Sequence, residues 1–109
     1  MTEAAIKALA DGQLGTTKAT LYSTSTDPDT QAIIERIKLT NTTSGMIKCN
    51  LYFLASGGTS RRIIPYDSEL EAYAYFKSDP EKLEAGDAIQ GDANAASAID
   101  YVISGIENS

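Results

Sequence analysis

Residues 83–106, LEAGDAIQGDANAASAIDYVISGI, decide the fold class of this chain. They begin with a turn at 84–87, where Gly86 can adopt a positive φ without steric cost and the Asp87 side chain can accept hydrogen bonds from nearby backbone N–H groups. A break of small and polar residues follows at 92–97, and beyond it every second residue is apolar: Ile99, Tyr101 and Ile103. A period of two predicts a β-strand with one buried face.

The same alternation recurs along the rest of the chain. Further strands are predicted, in order, at 14–24, 32–40, 46–55, 61–65 and 69–77. Polar turns separate them, and Pro65 ends its strand because proline cannot donate to a β-ladder. With the opening stretch this gives seven or eight short strands and no long amphipathic helix. The pattern predicts an all-β fold, an antiparallel and jelly-roll-like β-sandwich.

The inward face of each strand follows from the same alternation. The predicted core residues are Ile33, Ile37, Leu39, Ile47, Leu51, Phe53, Phe76, Ile89, Ile99, Tyr101 and Ile103. Ile34 breaks the alternation beside Ile33, so part of the second face of that strand is expected to be covered. Cys49 falls on the apolar side of its strand and is predicted to be a small buried hydrophobe.

The N-terminal segment, residues 1–13, has no clear place in this pattern and is predicted to be separate from a sandwich domain at 14–109. Its alanines favour a helix, but so short a helix is marginal without packing. Two alternatives are open: a short docked helix, or an extended arm that reaches a neighbouring subunit through Ile6 and Leu9. The segment carries an acid and no long apolar core, so we expect no secretory signal.

Composition excludes several classes of function. The 109 residues predict one domain, and the formal net charge of −6 disfavours binding to nucleic acid. No apolar run approaches the roughly 20 residues that span a bilayer, so we expect no membrane association. With no His and one Cys, zinc sites and His-dependent nucleophilic centres are excluded. The 15 acidic residues fit a solvated surface, and we expect neither enzymatic activity nor a cofactor.

Two polar segments match known site patterns, but a simpler interpretation is favoured for each. Asp27 and Asp29 flank Pro28 in a turn, and no further oxygen ligands follow at the spacing of a calcium loop. Residues 41–43, Asn-Thr-Thr, match the glycosylation sequon, yet they also suit the turn of a β-hairpin. Both segments are predicted to be ordinary turns.

Two tyrosines lie on the polar side of the strand predicted at 69–77. In that strand every second residue faces the core, and Tyr73 and Tyr75 lie on the opposite face together with Glu69 and Glu71. One interpretation is a surface stack or a second packed layer. The other is a contact surface, because Tyr is enriched in protein interfaces and in sugar-binding platforms. These four residues are the interface candidates within the sandwich.

Several of these segments resemble small virion proteins of tailed bacteriophages. The segments that carry the resemblance are 14–22 (LGTTKATLY), 32–42 (AIIERIKLTNT), 51–54 (LYFL), 83–91 (LEAGDAIQG) and 93–107, which ends in YVISGIE. Together they extend over about residues 14–107, and they are turn and strand signatures rather than a catalytic fingerprint. Residues 66–82 depart from the simpler linkers of that group, which suggests that they specify a particular partner.

The resemblance implies a β-sandwich structural protein of the phage particle. The expected role is that of a capsid decoration or cement protein, which stabilises the particle through subunit contacts. The alternative is a tail, baseplate or fibre component that attaches the virion to host carbohydrate. The expected partners are further copies of the chain, most simply in a homotrimer, and the major capsid protein or tail proteins. Its expected location is the virion, after synthesis in the bacterial cytoplasm.

Overall fold

The computed structural model describes residues 7–108, which form ten β-strands. In chain order these are β1 (Lys7–Gln13), β2 (Ala19–Ser23), β3 (Gln31–Asn41), β4 (Ile47–Leu54), β5 (Ser60–Arg62), β6 (Ser68–Leu70), β7 (Tyr75–Lys77), β8 (Glu81–Leu83), β9 (Ala88–Ala93) and β10 (Ile99–Asn108). The described residues include no helix long and apolar enough to cross a membrane.

The strands form two antiparallel sheets that pack face to face. Sheet A has the order β1-β10-β3, with β7 and β8 both paired to the far side of β3. Sheet B has the order β2-β9-β4, with β5 and β6 both paired to β4. If β5 with β6, and β7 with β8, are each counted as one interrupted strand, eight strands form the two sheets of a jelly roll. The predicted fold class is therefore confirmed.

The core between the sheets agrees with the predicted alternation at all but one position. Six of the predicted residues are buried: Ile37, Leu39, Leu51, Ile89, Ile99 and Ile103. Four others are partly buried and pack against that core: Ile47, Phe53, Phe76 and Tyr101. Cys49 is buried among them, as predicted.

Ile33 is the exception, because its side chain is 48% exposed while that of Ile34 is fully buried. The register between β3 and β10 shifts from Arg36 opposite Ser104 to Ile34 opposite Gly105, which leaves Glu35 as an extra residue. Such a β-bulge inverts the inward and outward sides of the strand beyond it. A Cβ at Gly105 would overlap the carbonyl oxygen of Ile33, so the bulge requires glycine there.

The N-terminal boundary also differs from the prediction. Residues 7–13 are neither an arm nor a helix, because they form β1 at the edge of sheet A, antiparallel to β10. Pairing with β10 satisfies their backbone groups, and Leu9 and Ala10 pack against the core. Tertiary contacts thus override the local helix preference of the alanines. The sandwich begins at Lys7 in the structure, and Ile6 lies outside the described residues.

The turn in the opening stretch has the predicted geometry. Gly86 has a φ of 81°, and one carboxylate oxygen of Asp87 accepts a hydrogen bond from the Glu84 N–H at 2.9 Å. The other oxygen accepts one from the Ser56 N–H at 2.9 Å. The Thr24 N–H donates to the carbonyl of Asp87, also at 2.9 Å. Asp87 therefore ties three loops together at one end of the sandwich.

Candidate assembly surface

The segment that carries the predicted interface residues crosses between the two sheets. Residues 69–77 were predicted to be one strand, but β6 pairs with β4 in sheet B and β7 pairs with β3 in sheet A. A turn at 71–74 connects them. Glu69 and Tyr75 therefore belong to different sheets and do not share one strand face. The prediction of a single strand was wrong because apolar and polar residues continue to alternate through residues 71–74, where tertiary contacts impose a turn.

Asn41, at the end of β3, fixes this crossover. Its side chain is fully buried, and its Nδ2 donates to the carbonyls of Gly45 at 2.8 Å, Leu70 at 2.9 Å and Glu71 at 3.0 Å. Its Oδ1 accepts bonds from the Thr43 N–H at 2.9 Å and from the Thr43 hydroxyl at 2.8 Å. A fully buried amide cannot carry a glycan in the folded chain. The predicted β-hairpin is nevertheless wrong, because β3 belongs to sheet A and β4 to sheet B, so the segment after Asn41 connects the two sheets.

The turn at 71–74 holds Tyr73 in an unusual backbone conformation. The Ala74 N–H donates to the Glu71 carbonyl at 3.0 Å, and the Tyr73 N–H donates to the Thr43 carbonyl at 3.2 Å. Tyr73 has a φ of 58°, in the left-handed region that bulky residues rarely adopt. Such strain costs on the order of 1 kcal/mol or more and persists only where the surroundings impose it.

The result is an exposed aromatic surface. Tyr73 is 69% exposed and Tyr75 is 58% exposed, and Met46, in the neighbouring β3–β4 turn, is also exposed. We call these three residues the tyrosine ledge. The Nζ atoms of Lys38 and Lys77 lie 5.1 Å and 5.7 Å from the centroid of the Tyr75 ring, at cation–π distance.

The other interface candidates are arranged differently. Glu69 and Glu71 are exposed, on either side of the buried Leu70. Leu9 is half-buried and packs against the core, so its apolar surface is already used within the domain. Ile6 precedes the described residues. Tyr73 and Tyr75 therefore remain the candidates with free apolar area.

Beneath the ledge, an apolar cavity opens at the side of the sandwich. Its volume is about 200 Å³, and its lining comes from both sheets: Cys49, Ile64, Pro65, Ser68, Glu69, Leu70, Tyr75 and Phe76. Burial raises the pKa of the Cys49 thiol to about 11, and the charges of Asp92 and Asp67 contribute. The thiol is therefore protonated at neutral pH, which makes it a poor nucleophile.

A second cleft lies at the opposite side of the sandwich, between β1 and β2. It has a volume of about 330 Å³ and is lined by Lys7, Ala8, Leu9, Tyr22 and Glu107. The Tyr22 hydroxyl donates a hydrogen bond to the Glu107 carboxylate. Burial, followed by this bond, raises the pKa of Tyr22 far above its ordinary value. Tyr22 therefore stays neutral at physiological pH and serves as a hydrogen-bond donor.

Sequence reasoning missed a cluster on the outer face of sheet B. The Lys18 Nζ lies 4.2 Å from the centroid of the buried Tyr52 ring, and the Arg62 Cζ lies 5.1 Å from the same centroid. The Arg62 Cζ also lies 4.9 Å from the centroid of Tyr66, an exposed ring. We call these four residues the cation–π ladder. They come from separate parts of the chain, so no local pattern could have joined them.

The ladder is anchored by a polar network centred on Asn50. An Nη atom of Arg62 donates to Asn50 Oδ1 at 2.7 Å. The Asn50 Nδ2 donates to Asp92 at 2.8 Å and to Asp67 at 3.0 Å. The Tyr52 hydroxyl donates to the other oxygen of Asp92 at 3.0 Å. Burial, and then Asp92, raise the pKa of Tyr52, so that hydroxyl keeps its proton.

Comparisons with known proteins give structural neighbours only. No protein family model and no curated protein matches the chain. The structure of the infectious bursal disease virus Gx strain aligns with 96% of this chain at 12% identity and a TM-score of 0.49. That of the Gt strain aligns with 95% at 9% identity and a TM-score of 0.45. The VP2 subviral particle of the same virus aligns with 96% at 14% identity and a TM-score of 0.42. The chain spans 31–32% of the length of these neighbours.

Proposed function

We propose that this chain is a non-enzymatic structural subunit of a virus particle, which acts by burying surface against other subunits. In its finer form the proposal follows the sequence resemblance: a capsid decoration or cement protein of a tailed bacteriophage. The chain would act as a homo-oligomer, most simply a trimer, on a lattice of the major capsid protein.

The single observation that supports this proposal is the way in which Tyr73 is presented. Asn41, which is fully buried, donates hydrogen bonds to the turn at 71–74, and this turn holds the exposed Tyr73 in a strained backbone conformation. Exposure of Tyr73 gives the isolated domain no stabilisation. Aromatic residues and Met are enriched at the centres of protein interfaces, where rigid anchors contribute most of the affinity. The tyrosine ledge fits such an interface.

The chemistry of the described side chains supports a non-enzymatic role. The chain has no His. The thiol of Cys49 and the hydroxyls of Tyr22 and Tyr52 all have raised pKa values, so none of them is activated as a nucleophile or a base. Asp87, a buried carboxylate, accepts two backbone hydrogen bonds at a turn, which is a structural role.

The test is replacement of both exposed tyrosines, Tyr73→Ser with Tyr75→Ser. We expect this variant to melt like the parent but to co-sediment weakly with phage particles that lack the native protein. The matched control is Ile33→Ser, which removes an exposed apolar side chain from sheet A outside the ledge. Full binding by the double variant would overturn the role of the ledge. Weak binding by both variants to particles, with strong binding to host polysaccharide, would favour the tail or fibre alternative.

The N-terminal residues provide a separate test of assembly. Residues 1–6 precede β1, and one of the two alternatives left open for residues 1–13 is an arm that reaches a neighbouring subunit. Their removal leaves β1 and its pairing with β10 intact, so we expect an unchanged melting temperature. We expect weaker co-sedimentation with particles. Unchanged occupancy on the particle would remove this segment from the proposed interface.

A further inference from the structure

The cavity beneath the tyrosine ledge has the size and the lining of a binding site for a small apolar group. Its volume is about 200 Å³. Drug-sized ligands need about 300 Å³ or more, whereas an apolar cavity of about 150 Å³ can hold a benzene ring. Its most buried lining residues are Cys49, Ile64 and Leu70, and its exposed ones include Pro65 and Glu69. The inner part of the cavity is therefore apolar, and the carboxylate of Glu69 lies at the exposed part.

The walls of the cavity are held by hydrogen bonds within the chain. The Ser68 hydroxyl donates to the Pro65 carbonyl at 2.7 Å, and the Cys49 thiol donates to the Ser68 carbonyl at 3.6 Å. The Leu70 carbonyl accepts a bond from Asn41 Nδ2 at 2.9 Å. Among residues 7–108 no buried side-chain nitrogen or oxygen is left without a partner. Walls that are already ordered lose little conformational freedom on binding, and satisfied polar groups offer water few partners.

The lining favours a flat and uncharged ligand. The rings of Tyr75 and Phe76 can pack against a further ring edge-to-face or offset, and the Cys49 sulfur can add a contact to an aromatic edge. Among the described lining residues Glu69 is the only charged one, so the cavity offers no cation to an anionic ligand. Burial is the main reason that the pKa of the Cys49 thiol is raised, and the same surroundings disfavour an anion beside it.

We propose that this cavity binds one uncharged aromatic ring of benzene to indole size. A free molecule and an aromatic side chain of another protein would present the same chemistry to the lining, and the experiments below distinguish these two sources. The site goes beyond the proposed assembly function and does not depend on it, because an isolated chain would bind a free ring whether or not it binds particles. Tyr75 belongs to both the cavity and the ledge, so a bound ring would lie next to the proposed interface.

The first test uses toluene and benzoate as probes of the full chain, followed by NMR spectroscopy. The two molecules share the aromatic ring, and benzoate adds a carboxylate. We expect saturable binding of toluene, with nuclear Overhauser contacts from its ring protons to the methyl groups of Ile64 and Leu70. Benzoate should bind at least about tenfold more weakly, because its charge would lose water in an apolar cavity. No saturable binding of toluene, contacts only to other residues, or equal binding of benzoate would overturn the inference.

The second test fills the cavity from two of its walls. Ile64→Phe and Cys49→Leu each add side-chain volume, so each should bind toluene at least about tenfold more weakly than the parent. The matched control is Ala8→Phe, which adds a ring to the cleft between β1 and β2 and should leave toluene binding unchanged. Melting curves show which variants fold, and the NMR contacts of the parent decide if neither filled variant does. Parent-like binding of toluene by a folded filled variant would overturn the site.

Co-sedimentation with phage particles distinguishes the two sources of the ring. If folded Ile64→Phe binds particles as the parent does, the ligand is a free molecule. If it binds weakly while Ala8→Phe binds normally, and toluene displaces the parent from particles, the ring belongs to a side chain of the particle. A parent that binds toluene but no particles would keep this site and refute the proposed function. A parent that binds particles but not toluene would do the reverse.

Discussion

Among the turns that place a residue in the left-handed region of backbone space, those at 84–87 and 71–74 do so by opposite means. In the turn at 84–87 that residue is Gly86, with a φ of 81°. In the turn at 71–74 it is Tyr73, with a φ of 58°. The glycine adopts this conformation without strain, whereas the tyrosine is held there by Asn41, which lies 30 residues earlier than Glu71 in the chain.

The comparison separates a turn that its own residues specify from one that the fold imposes. Around Gly86 the local sequence supplies the free backbone and the capping carboxylate of Asp87. Around Tyr73 the local sequence continues a strand alternation, and the buried amide of Asn41 interrupts it. A turn of the first kind serves stability. A turn of the second kind lowers the free energy of unfolding in order to expose a side chain, which is why we associate it with function.

The largest effect is expected from Asn41→Ala, which tests whether the fold imposes the second turn. The change removes the donor to the carbonyls of Gly45, Leu70 and Glu71. Loss of such a buried network should lower the free energy of unfolding by about 3–5 kcal/mol. Chemical denaturation measures this, with Gln31→Ala, an exposed amide on the same strand, as the control. A loss no larger than that of the control would mean that the turn at 71–74 forms without the hydrogen bonds of Asn41.

Gly86→Val should have the next largest effect. A Cβ at this position would lie 2.8 Å from the Ser56 Oγ and would also carry the cost of the positive φ, so we expect a loss of about 2–4 kcal/mol. Gly57→Val is a matched control, because Gly57 has a φ of 70° but open space around it. The difference between the two variants isolates the contact with Ser56. Equal losses would show that backbone strain alone matters.

The smallest change in stability is expected from Tyr73→Gly, which has the opposite sign. Relief of the strained φ should raise the free energy of unfolding by up to about 1 kcal/mol, less the entropy that a glycine adds to the unfolded chain. We expect this variant to melt at the parent's temperature or slightly above it and to assemble less well. Lower stability together with full assembly would reverse the roles that we assign to the two turns.

Whether the sequence predicts a feature of this fold depends on how far apart in the chain the residues that determine it lie. The sequence by itself determined the all-β class, most of the core, the turn at Gly86 and the burial of Cys49. Each of these depends on the period of two along a strand or on the steric freedom of one residue, and both are local properties.

Only the tertiary structure decided the remaining features. The bulge between β3 and β10 exposes Ile33 because Gly105, a distant residue, leaves room for it. β1 is a strand because β10 offers an edge to its alanines. Asn41 and Arg62 acquire their roles from partners in other strands and loops. Hydrogen bonds and ring contacts between residues far apart in sequence leave no periodic signal in the chain, so these features could be found only once the two sheets had been brought together.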